Sequence, residues 1–600
     1  MSSASLSADV VIVGGGPVGS LLAYQLARFG CKPYLIEQED KAQADCYGRA
    51  TTLWPRTIEL LDQLGLADRL LQSGMITRSG LHFHEGKRLR GGIMYGNRMD
   101  RLGDTFFKFA LHLRQRITEG HFAEALEQEY GFRHHNRLCI DSYTIYEGGD
   151  RPVTAHLRDL SNGRVLEVKT RYLIGADGGK STVRKLAGIP FDGENTKHRW
   201  IRMDARVETN MPNARCLNSI DSATHGQILW CPNDDGLTRI GYVFSPGLLE
   251  KYGGIEGVTQ EVAMEEAKKA LHPFTLDFIH VEWFTIYGIG QRIAGTFSRH
   301  SRVFLAGDAC HTHSSGSAQG LNTGIHDAVN LGWKLALCIH KLAGPSLLDS
   351  YDKERRPIVQ QVINNDKIIS TLISGQYPPQ YQGSQESPRE ILTRWFDDMS
   401  MQAFTLGLGI NYPISLLNRE FAGASRATIN PGERGPDVYL STLGKLHYRS
   451  TADPIRLHKL IANDGRFSLV VFTGVPSLTH NLFSNLRNAV HQSFSSVFPA
   501  LIYKWFTVPS VAGNGGQEVL GTKPLGRVYF DESVRAHEMY GIDVRLGAVV
   551  VFRPDGWVGT VVQMNERGVK DLETYFDGIF GNERNRGTQI LRLGASRSRL

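Results

Sequence analysis

Three glycines with a fixed spacing stand near the start of the chain, between a β-branched run and an apolar helical pattern. Gly14, Gly16 and Gly19 complete G-x-G-x-x-G, and Pro17 lies in the first turn of the predicted helix. The first glycine permits a tight turn, the second lets the backbone approach a phosphate, and the third lets helix and strand pack closely. Free N–H groups at such a helix start attract phosphate oxygens. The spacing therefore predicts a site for the diphosphate of a dinucleotide.

An acidic residue ends the next predicted strand, "PYLIE". Glu37 lies 23 residues after Gly14 and is followed by Gln38, which we place in the same site. A carboxylate at this position accepts a hydrogen bond from a ribose hydroxyl. The sequence thus favours an adenosine with a free 2′-hydroxyl, as in FAD or NAD, over NADP.

Two later segments also combine a strand, an acidic turn and a helix. The turn of "YLIGADGGKSTVRKLAGI" holds Asp177, and the turn of "RVFLAGDACHTHSS" holds Asp308. A carboxylate at a strand end can accept hydrogen bonds from ribityl hydroxyls. The N–H groups that open the long helix after the second turn carry positive potential. They belong to Gly320, Leu321 and Asn322.

The segment "CHTH" contains residue types that bind metals, namely Cys310, His311 and His313. A structural zinc site needs four such ligands, and no second Cys/His cluster in the sequence offers the others. We therefore expect these side chains to pack in a loop, and we predict no metal.

Composition bounds the class of protein that must position these residues. The chain has 600 residues, of which 41% are apolar and 21% charged, and a net charge of +6. This length predicts two or three domains, and so small a charge gives no case for nucleic-acid binding. No apolar run reaches the roughly 18 residues of a membrane span, so we expect no membrane partner. Polar, proline-bearing stretches at 374–388 and 430–437 indicate an excursion and a domain boundary.

The three motifs, in this order and over nearly the whole chain, resemble those of single-component flavin-dependent aromatic hydroxylases of the para-hydroxybenzoate hydroxylase type. Within that class the chain is most similar to the phenol 2-monooxygenase and 3-hydroxybenzoate 4-monooxygenase branch. The resemblance implies an α/β fold. Its parts are a Rossmann-like FAD-binding domain of the glutathione-reductase type (1–190 plus 285–370), an inserted β-sheet substrate domain (191–284, with parts of 75–110), a helical linker (371–430) and a C-terminal thioredoxin-like domain (431–600). The last domain lacks C-x-x-C, which excludes a thiol redox role.

The resemblance also implies the cofactors, the partners and the reaction. FAD would be the cofactor, with NADPH or NADH and O2 as co-substrates, and a homodimer would hydroxylate a small phenolic or other aromatic substrate through a flavin C4a-hydroperoxide. Arg49 and Gln115 match family positions near the FAD phosphates and the isoalloxazine or ribityl chain. Tyr287, in "WFTIYGIGQR", matches a tyrosine placed over the substrate hydroxyl and is the predicted catalytic residue. The alternative for Tyr287 is a structural plug at the sheet edge.

Departures from the family pattern leave the substrate open. Thr51 stands where the phenol hydroxylase branch has an aspartate, and Ser315 and Ala318 replace a proline and a glycine beside the flavin. A threonine cannot act as the base. A second hypothesis is therefore Baeyer-Villiger oxidation, epoxidation or dearomatising hydroxylation of a polyketide-like secondary metabolite, and a remote third is a non-catalytic flavin-binding scaffold. The final Ser598-Arg599-Leu600 resembles a peroxisomal address, so we expect a cytoplasmic or peroxisomal location.

Overall fold

The computed structural model describes residues 6–41, 50–78, 80–89, 99, 102, 104–421, 427–442, 454–510 and 519–581. Its strands are β1 (Leu6–Ser7), β2 (Val10–Val13), β3 (Pro33–Ile36), β4 (Thr52–Leu53), β5 (Met75–Thr77), β6 (Gly80–His84), β7 (Lys87–Leu89), β8 (Ala110–His112), β9 (Leu138–Ile145), β10 (Val153–Asp159), β11 (Val165–Thr170), β12 (Tyr172–Gly175), β13 (Phe191–Glu208), β14 (Leu217–Ser222), β15 (Gly226–Pro232), β16 (Thr238–Phe244), β17 (Asp277–Ala294), β18 (Ser298–Arg299), β19 (Val303–Leu305), β20 (His311–Thr312), β21 (Tyr439–Leu440), β22 (Ile455–Arg456), β23 (Phe467–Gly474), β24 (Tyr503–Pro509), β25 (Arg527–Val528), β26 (Ala548–Phe552) and β27 (Val558–Gln563).

The α-helices lie between these strands, singly or in runs. They are α1 (Pro17–Arg28), α2 (Pro55–Gln63), α3 (Ala67–Ser73), α4 (Gln115–Tyr130), α5 (Thr182–Leu186), α6 (Pro246–Lys251), α7 (Gln260–Leu271), α8 (Gln319–Ile339), α9 (Ser346–Ile373), α10 (Pro388–Asp397), α11 (Met399–Thr405), α12 (Leu457–Leu460), α13 (Pro476–Ala489), α14 (Ser495–Val497), α15 (Arg535–Tyr540) and α16 (Glu566–Phe580).

A five-stranded sheet in the order β18-β19-β12-β2-β3 carries the glycine motif. All its neighbours pair in parallel except β18 and β19. The β-branched run of β2 is buried on both faces, as a central parallel strand requires. Because parallel strands end at one edge, the turns after β2, β12 and β19 meet there. The mixed α/β class predicted from the sequence is confirmed.

An eight-stranded sheet in the order β20-β17-β13-β16-β15-β14-β6-β7 forms the second layer of the site. One of its faces is apolar and packs on α7, with Ile201, Met203 and Ile240 in that core. Strand β17 runs unbroken through residues 284 and 285, where the sequence analysis set a domain boundary. The long strand arises because its pairing with β13 continues through both halves.

Helix α8 runs through the middle of the molecule, and 20 of its 21 residues are buried. A helix that is buried on nearly all sides, with polar as well as apolar residues inside, must be surrounded by other elements that also supply polar partners. Here α1, α2 and α9 pack against it. The last sheet, β25-β24-β23-β26-β27, has parallel pairs on one side of β23 and antiparallel pairs on the other.

Candidate active site

A single large cavity joins the parallel sheet, the eight-stranded sheet and the start of α8. Its volume is about 1550 Å³, whereas one small-molecule pocket typically encloses about 300–1,000 Å³. The cavity can therefore hold a dinucleotide together with a second ligand. Eleven of the fourteen predicted catalytic and cofactor-binding residues line it: Gly14, Gly16, Pro17, Glu37, Gln38, Gln115, Asp177, Tyr287, Asp308, Gly320 and Leu321.

The three glycines of the first motif have different surroundings. Gly14 has φ +105°, and a Cβ there would overlap the backbone of Ala176 on the neighbouring strand. A Cβ on Gly19 would overlap the carbonyl oxygen of Gly14, so this glycine serves the turn and does not line the cavity. A Cβ on Gly16 would meet nothing within 4 Å and would enter the cavity. Only Gly16 keeps space open for a ligand.

Two helices start at the cavity without a side-chain cap. Gly16 is the N-cap of α1 and Ala318 the N-cap of α8, and neither has a side chain that can accept from the first-turn N–H groups. By contrast, Ser181 caps α5. Uncapped N–H groups need a partner and attract anions or electron-rich atoms. Two such starts on one cavity suit the diphosphate and the reducible ring of FAD.

Close packing brings these two helix starts together. A Cβ added at Gly307 or at Gly324 would lie within 3 Å of the Val18 side chain. Glycines at both positions thus let the start of α1 press against the turn before α8 and against α8 itself. This contact explains how two segments about three hundred residues apart line one cavity.

Acidic groups lie where the adenosine and ribityl parts are expected. The two oxygens of Glu37 accept from the N–H of Gly15 (2.8 Å) and of Glu39 (3.0 Å), and each retains a lone pair for a ribose hydroxyl. Asp308 is exposed at the cavity wall. Asp177 instead accepts from the Thr182 N–H at the start of α5 (2.6 Å), and its burial raises the pKa of the carboxyl.

One predicted cofactor residue, Asn322, makes its contacts with protein groups. The side chain of Asn322 donates to the carbonyls of Thr52 (2.9 Å) and Ala318 (2.7 Å) and accepts from the Trp54 N–H (2.9 Å). Asn322 therefore holds β4 against the start of α8, and its side chain is not in the cavity lining. Arg49 lies outside the described residues.

The wall opposite the parallel sheet is the polar face of the eight-stranded sheet. Tyr287 pairs with Trp200 across β17 and β13, and its hydroxyl lies 2.5 Å from the Ser315 hydroxyl. Arg239, also on this face, donates to both oxygens of Asp204 at 2.6 and 2.7 Å. Burial opposes the charge of Arg239, but the Asp204 carboxylate raises the pKa of the guanidinium.

A buried histidine lies at the end of this wall. His112 is within 3.1 Å of the Thr52 hydroxyl and 2.7 Å of the Thr77 hydroxyl. Burial lowers the pKa of His112 to about 3, and burial raises the pKa of the nearby Cys231 to about 12. Both side chains are neutral at ordinary pH. Thr51, which cannot act as a base, lines the cavity beside them. None of Thr51, His112 and Cys231 is therefore an ionised base.

Sequence patterns alone do not single out four further residues of the site: Arg202, His112, Trp54 and Asp366. Asp366 accepts from the Ser314 N–H (2.8 Å) and Trp54 donates to the Ser317 carbonyl (3.1 Å), so both hold the loop before α8. A signal for Arg202 existed in the alternation of "RWIRMDA", where polar or aromatic residues occupy every second position. The other three carry no local signal.

The cysteine and histidine of "CHTH" have one acidic neighbour in the fold. Cys310, His311 and Asp327 place their ligand atoms within 4.8 Å of one another. However, Asp327 already accepts from Arg355 Nε (2.8 Å) and lies 2.7 Å from His311 Nε2. Although burial opposes ionisation, Arg355 and His311 keep the pKa of Asp327 below its usual range. The guanidinium occupies the position of a counter-cation, so the cluster holds the turn to α8.

Comparisons with known proteins agree with this geometry. Residues 7–366 match the FAD binding domain family, and residues 515–584 match the phenol hydroxylase C-terminal dimerisation domain. The phenol 2-monooxygenase fsqG of Aspergillus fumigatus is 28% identical over 606 residues, covering 96% of this chain and 97% of that protein. The 3-hydroxybenzoate 4-monooxygenase of Comamonas testosteroni is 28% identical over 618 residues, covering 95% and 94%.

A solved structure shares the fold over the same extent. The OxyS anhydrotetracycline hydroxylase from Streptomyces rimosus superimposes with a TM-score of 0.68 at 25% identity, covering 96% of this chain and 99% of that one. Within the described part of the chain, no helix combines the length and the apolar character needed to span a bilayer. The chain belongs to the FAD binding domain family, and it is an FAD-dependent monooxygenase of the phenol and 3-hydroxybenzoate hydroxylase type.

Proposed function

We propose that this monooxygenase hydroxylates a phenolic or other aromatic substrate with O2 and NADPH or NADH. The observation that carries the proposal is the single cavity, which joins two uncapped helix starts to the polar sheet face that holds Tyr287. FAD, when bound, supplies electron transfer and oxygen activation, which side chains cannot provide. The dimerisation segment matched at 515–584 supports a homodimer.

Each wall of the cavity has a separate task in this proposal. The Gly16 turn would hold the diphosphate, Glu37 the ribose, and Asp308 the ribityl chain. The N–H groups of Gly320 and Leu321 would face the reducible ring and stabilise negative charge there. The loop before α8 would exclude water from the reacting atoms. We infer that the eight-stranded sheet is the substrate domain and the last sheet a thioredoxin-like domain.

Tyr287 is the proposed catalytic residue. Its hydroxyl can accept a hydrogen bond from a substrate hydroxyl, which makes the aromatic ring more electron-rich, while Ser315 holds the tyrosine at 2.5 Å. Thr51 cannot remove the substrate proton, so the proton must leave through this pair or to solvent.

Oxygenation of a larger, polyketide-like substrate is the second candidate. The large cavity, the absence of a base at Thr51 and the likeness to an anhydrotetracycline hydroxylase favour it. A location in the cytoplasm or in peroxisomes stays a prediction, since Ser598-Arg599-Leu600 lies outside the described residues.

The test uses the purified full chain. The FAD content is measured first, and NADPH or NADH consumption is then followed with phenols, hydroxybenzoates and polycyclic phenols, with product mass as the readout. We expect about one FAD per chain and a product heavier by one oxygen atom. A colourless protein that refuses FAD would support the scaffold alternative, and reduced flavin that never yields an oxygenated product would refute the monooxygenase proposal.

A further inference from the structure

One cation of the cavity wall is buried on the polar sheet face. Arg202 is 3% exposed and lines the cavity from the middle of β13. On the adjacent strand it pairs with Gly241, where an added Cβ would fall on the Arg202 guanidinium. A glycine in a central strand weakens the sheet, and here it gives the guanidinium its space.

The hydrogen bonds of Arg202 go to neutral oxygens. Its Nη1 donates to the Ile201 carbonyl (2.9 Å) and its Nη2 to the Ser315 hydroxyl (2.8 Å). Over the described ranges, no carboxylate lies within 4.0 Å of it. The carboxylate on the same sheet face, Asp204, accepts from Arg239 with both oxygens. Burial lowers the pKa of Arg202, as expected for a charge withdrawn from water.

Asp204 acts on Arg202 only from a distance, and a buried cation without a hydrogen-bonded counter-charge is unfavourable. The cost falls when a ligand brings an anion to the site. We propose that Arg202 binds an anionic oxygen of the substrate, either a carboxylate or an ionised phenol or enol. This inference rests on the proposed function, and it narrows the substrate to an organic acid whose anionic group reaches the polar sheet face.

Ser315 connects this anion site to the proposed catalytic residue. The same hydroxyl accepts from Arg202 at 2.8 Å and lies 2.5 Å from the Tyr287 hydroxyl. Arg202 and Tyr287 therefore share Ser315 as a hydrogen-bond partner, and both line the cavity. An anionic oxygen bound by Arg202 would lie near the proposed catalytic residue.

The test compares charged with neutral probes on the FAD-loaded enzyme. Benzoate and benzamide test the carboxylate, and 4-nitrophenol above and below its pKa tests the phenolate. Their Kd values come from the change in flavin absorbance. We expect at least one anionic probe to bind about tenfold or more tighter than its neutral partner, which is the effect of one hydrogen bond to a charged group. Arg202→Met should bring the ratio near one, and Arg202→Lys should retain part of it. Arg206→Met, which removes an exposed arginine of the same strand outside the cavity lining, should leave it unchanged.

Several results would overturn the inference without affecting the proposed function. In the first, the enzyme holds FAD and forms product but binds the anionic and neutral probes equally or not at all. In the second, the Arg202→Met variant keeps the wild-type ratio of the two Kd values. If that variant shifts the flavin midpoint potential while the ratio stays, the counter-charge is the reduced flavin and the inference is wrong. The wild-type comparison decides even if the variants fail to fold. Failure of the proposed function shows separately, as missing FAD or missing oxygenated product.

Discussion

Replacing two glycines of the same motif by alanine should have different effects, one on FAD affinity and the other on the stability of the fold. Gly16 has φ −68°, which alanine adopts freely, and its new methyl would enter the cavity without touching protein. Gly16→Ala should therefore change the free energy of unfolding of the apoprotein by no more than about 1 kcal/mol. The methyl would occupy the proposed phosphate position and remove one hydrogen bond to a charged group, about 1.5–3 kcal/mol. That loss corresponds to a rise of roughly 10- to 150-fold in the Kd for FAD.

Gly19→Ala should destabilise the fold itself. Its methyl would overlap the Gly14 carbonyl oxygen, and a backbone atom cannot move aside as a flexible side chain can. The cost should reach about 3 kcal/mol, at the upper end for overpacking. Gly120→Ala in α4 is the matched control, because its methyl also meets nothing within 4 Å but lies outside the cavity.

The assays are thermal unfolding of the three FAD-free variants, followed by circular dichroism, and FAD titration followed by quenching of flavin fluorescence. We expect Gly16→Ala to have a near-native melting temperature and weak FAD binding. Gly19→Ala should have a lowered melting temperature. Native FAD affinity in Gly16→Ala, or equal melting losses in both, would refute the assignment of the diphosphate to this turn.

Three further predictions concern the proposed catalytic tyrosine, a buried histidine of the cavity wall and a buried arginine of the C-terminal domain. Tyr287→Phe should bind FAD normally but lower kcat about tenfold or more, because it removes one hydrogen bond to a substrate oxygen; kcat is measured as the rate of product formation at saturating substrate. His112 has a folded pKa of about 3 against an ordinary value near 6.5, so its unfolded form takes up a proton first as the pH falls. Its stability contribution is complete above about pH 6.5 and is lost toward pH 3, by about 2 kcal/mol at pH 5, so His112→Asn should flatten that slope in urea unfolding. Arg553 donates to the buried carboxylates of Glu354 and Asp555. Arg553→Met should therefore cost about 3–5 kcal/mol of stability, as when one partner of a buried ion pair is removed. Limited proteolysis of this variant should then release the C-terminal domain.

Each of these predictions has a control and a contrary result. Tyr146→Phe, on an exposed tyrosine, should leave kcat unchanged, and an unchanged kcat in Tyr287→Phe would favour the plug over the catalytic role. His280→Asn, on an exposed histidine, should leave the pH slope as it is, and an equal slope in His112→Asn would contradict the buried neutral imidazole. The control for Arg553→Met is Arg545→Met, which changes an exposed arginine of the same domain and should leave protease resistance unchanged. Wild-type resistance to protease in Arg553→Met would show that the buried charges do not fasten the domain.

Much of the fold and of the nucleotide half of the site could be predicted because the signals are local. A β-branched strand, a glycine turn and an apolar helix are neighbours in the chain, so one short stretch of sequence carries the whole pattern. Eleven of the fourteen residues predicted to bind the cofactor or act in catalysis line the cavity. Gly19 serves the turn instead, and the Asn322 side chain is used by protein.

The sequence by itself determined the α/β class, the order of the motifs and the dinucleotide character of the first turn, since each depends on residues a few positions apart. Only the tertiary structure decided which charges are paired. Asp204 lies two residues after Arg202 and on the same face of the strand. It nevertheless accepts from Arg239 on the next strand, and Arg202 donates to Ser315. Strand register determines such pairings, and register depends on the whole sheet. For this reason the charge that selects the substrate is visible only in the folded chain.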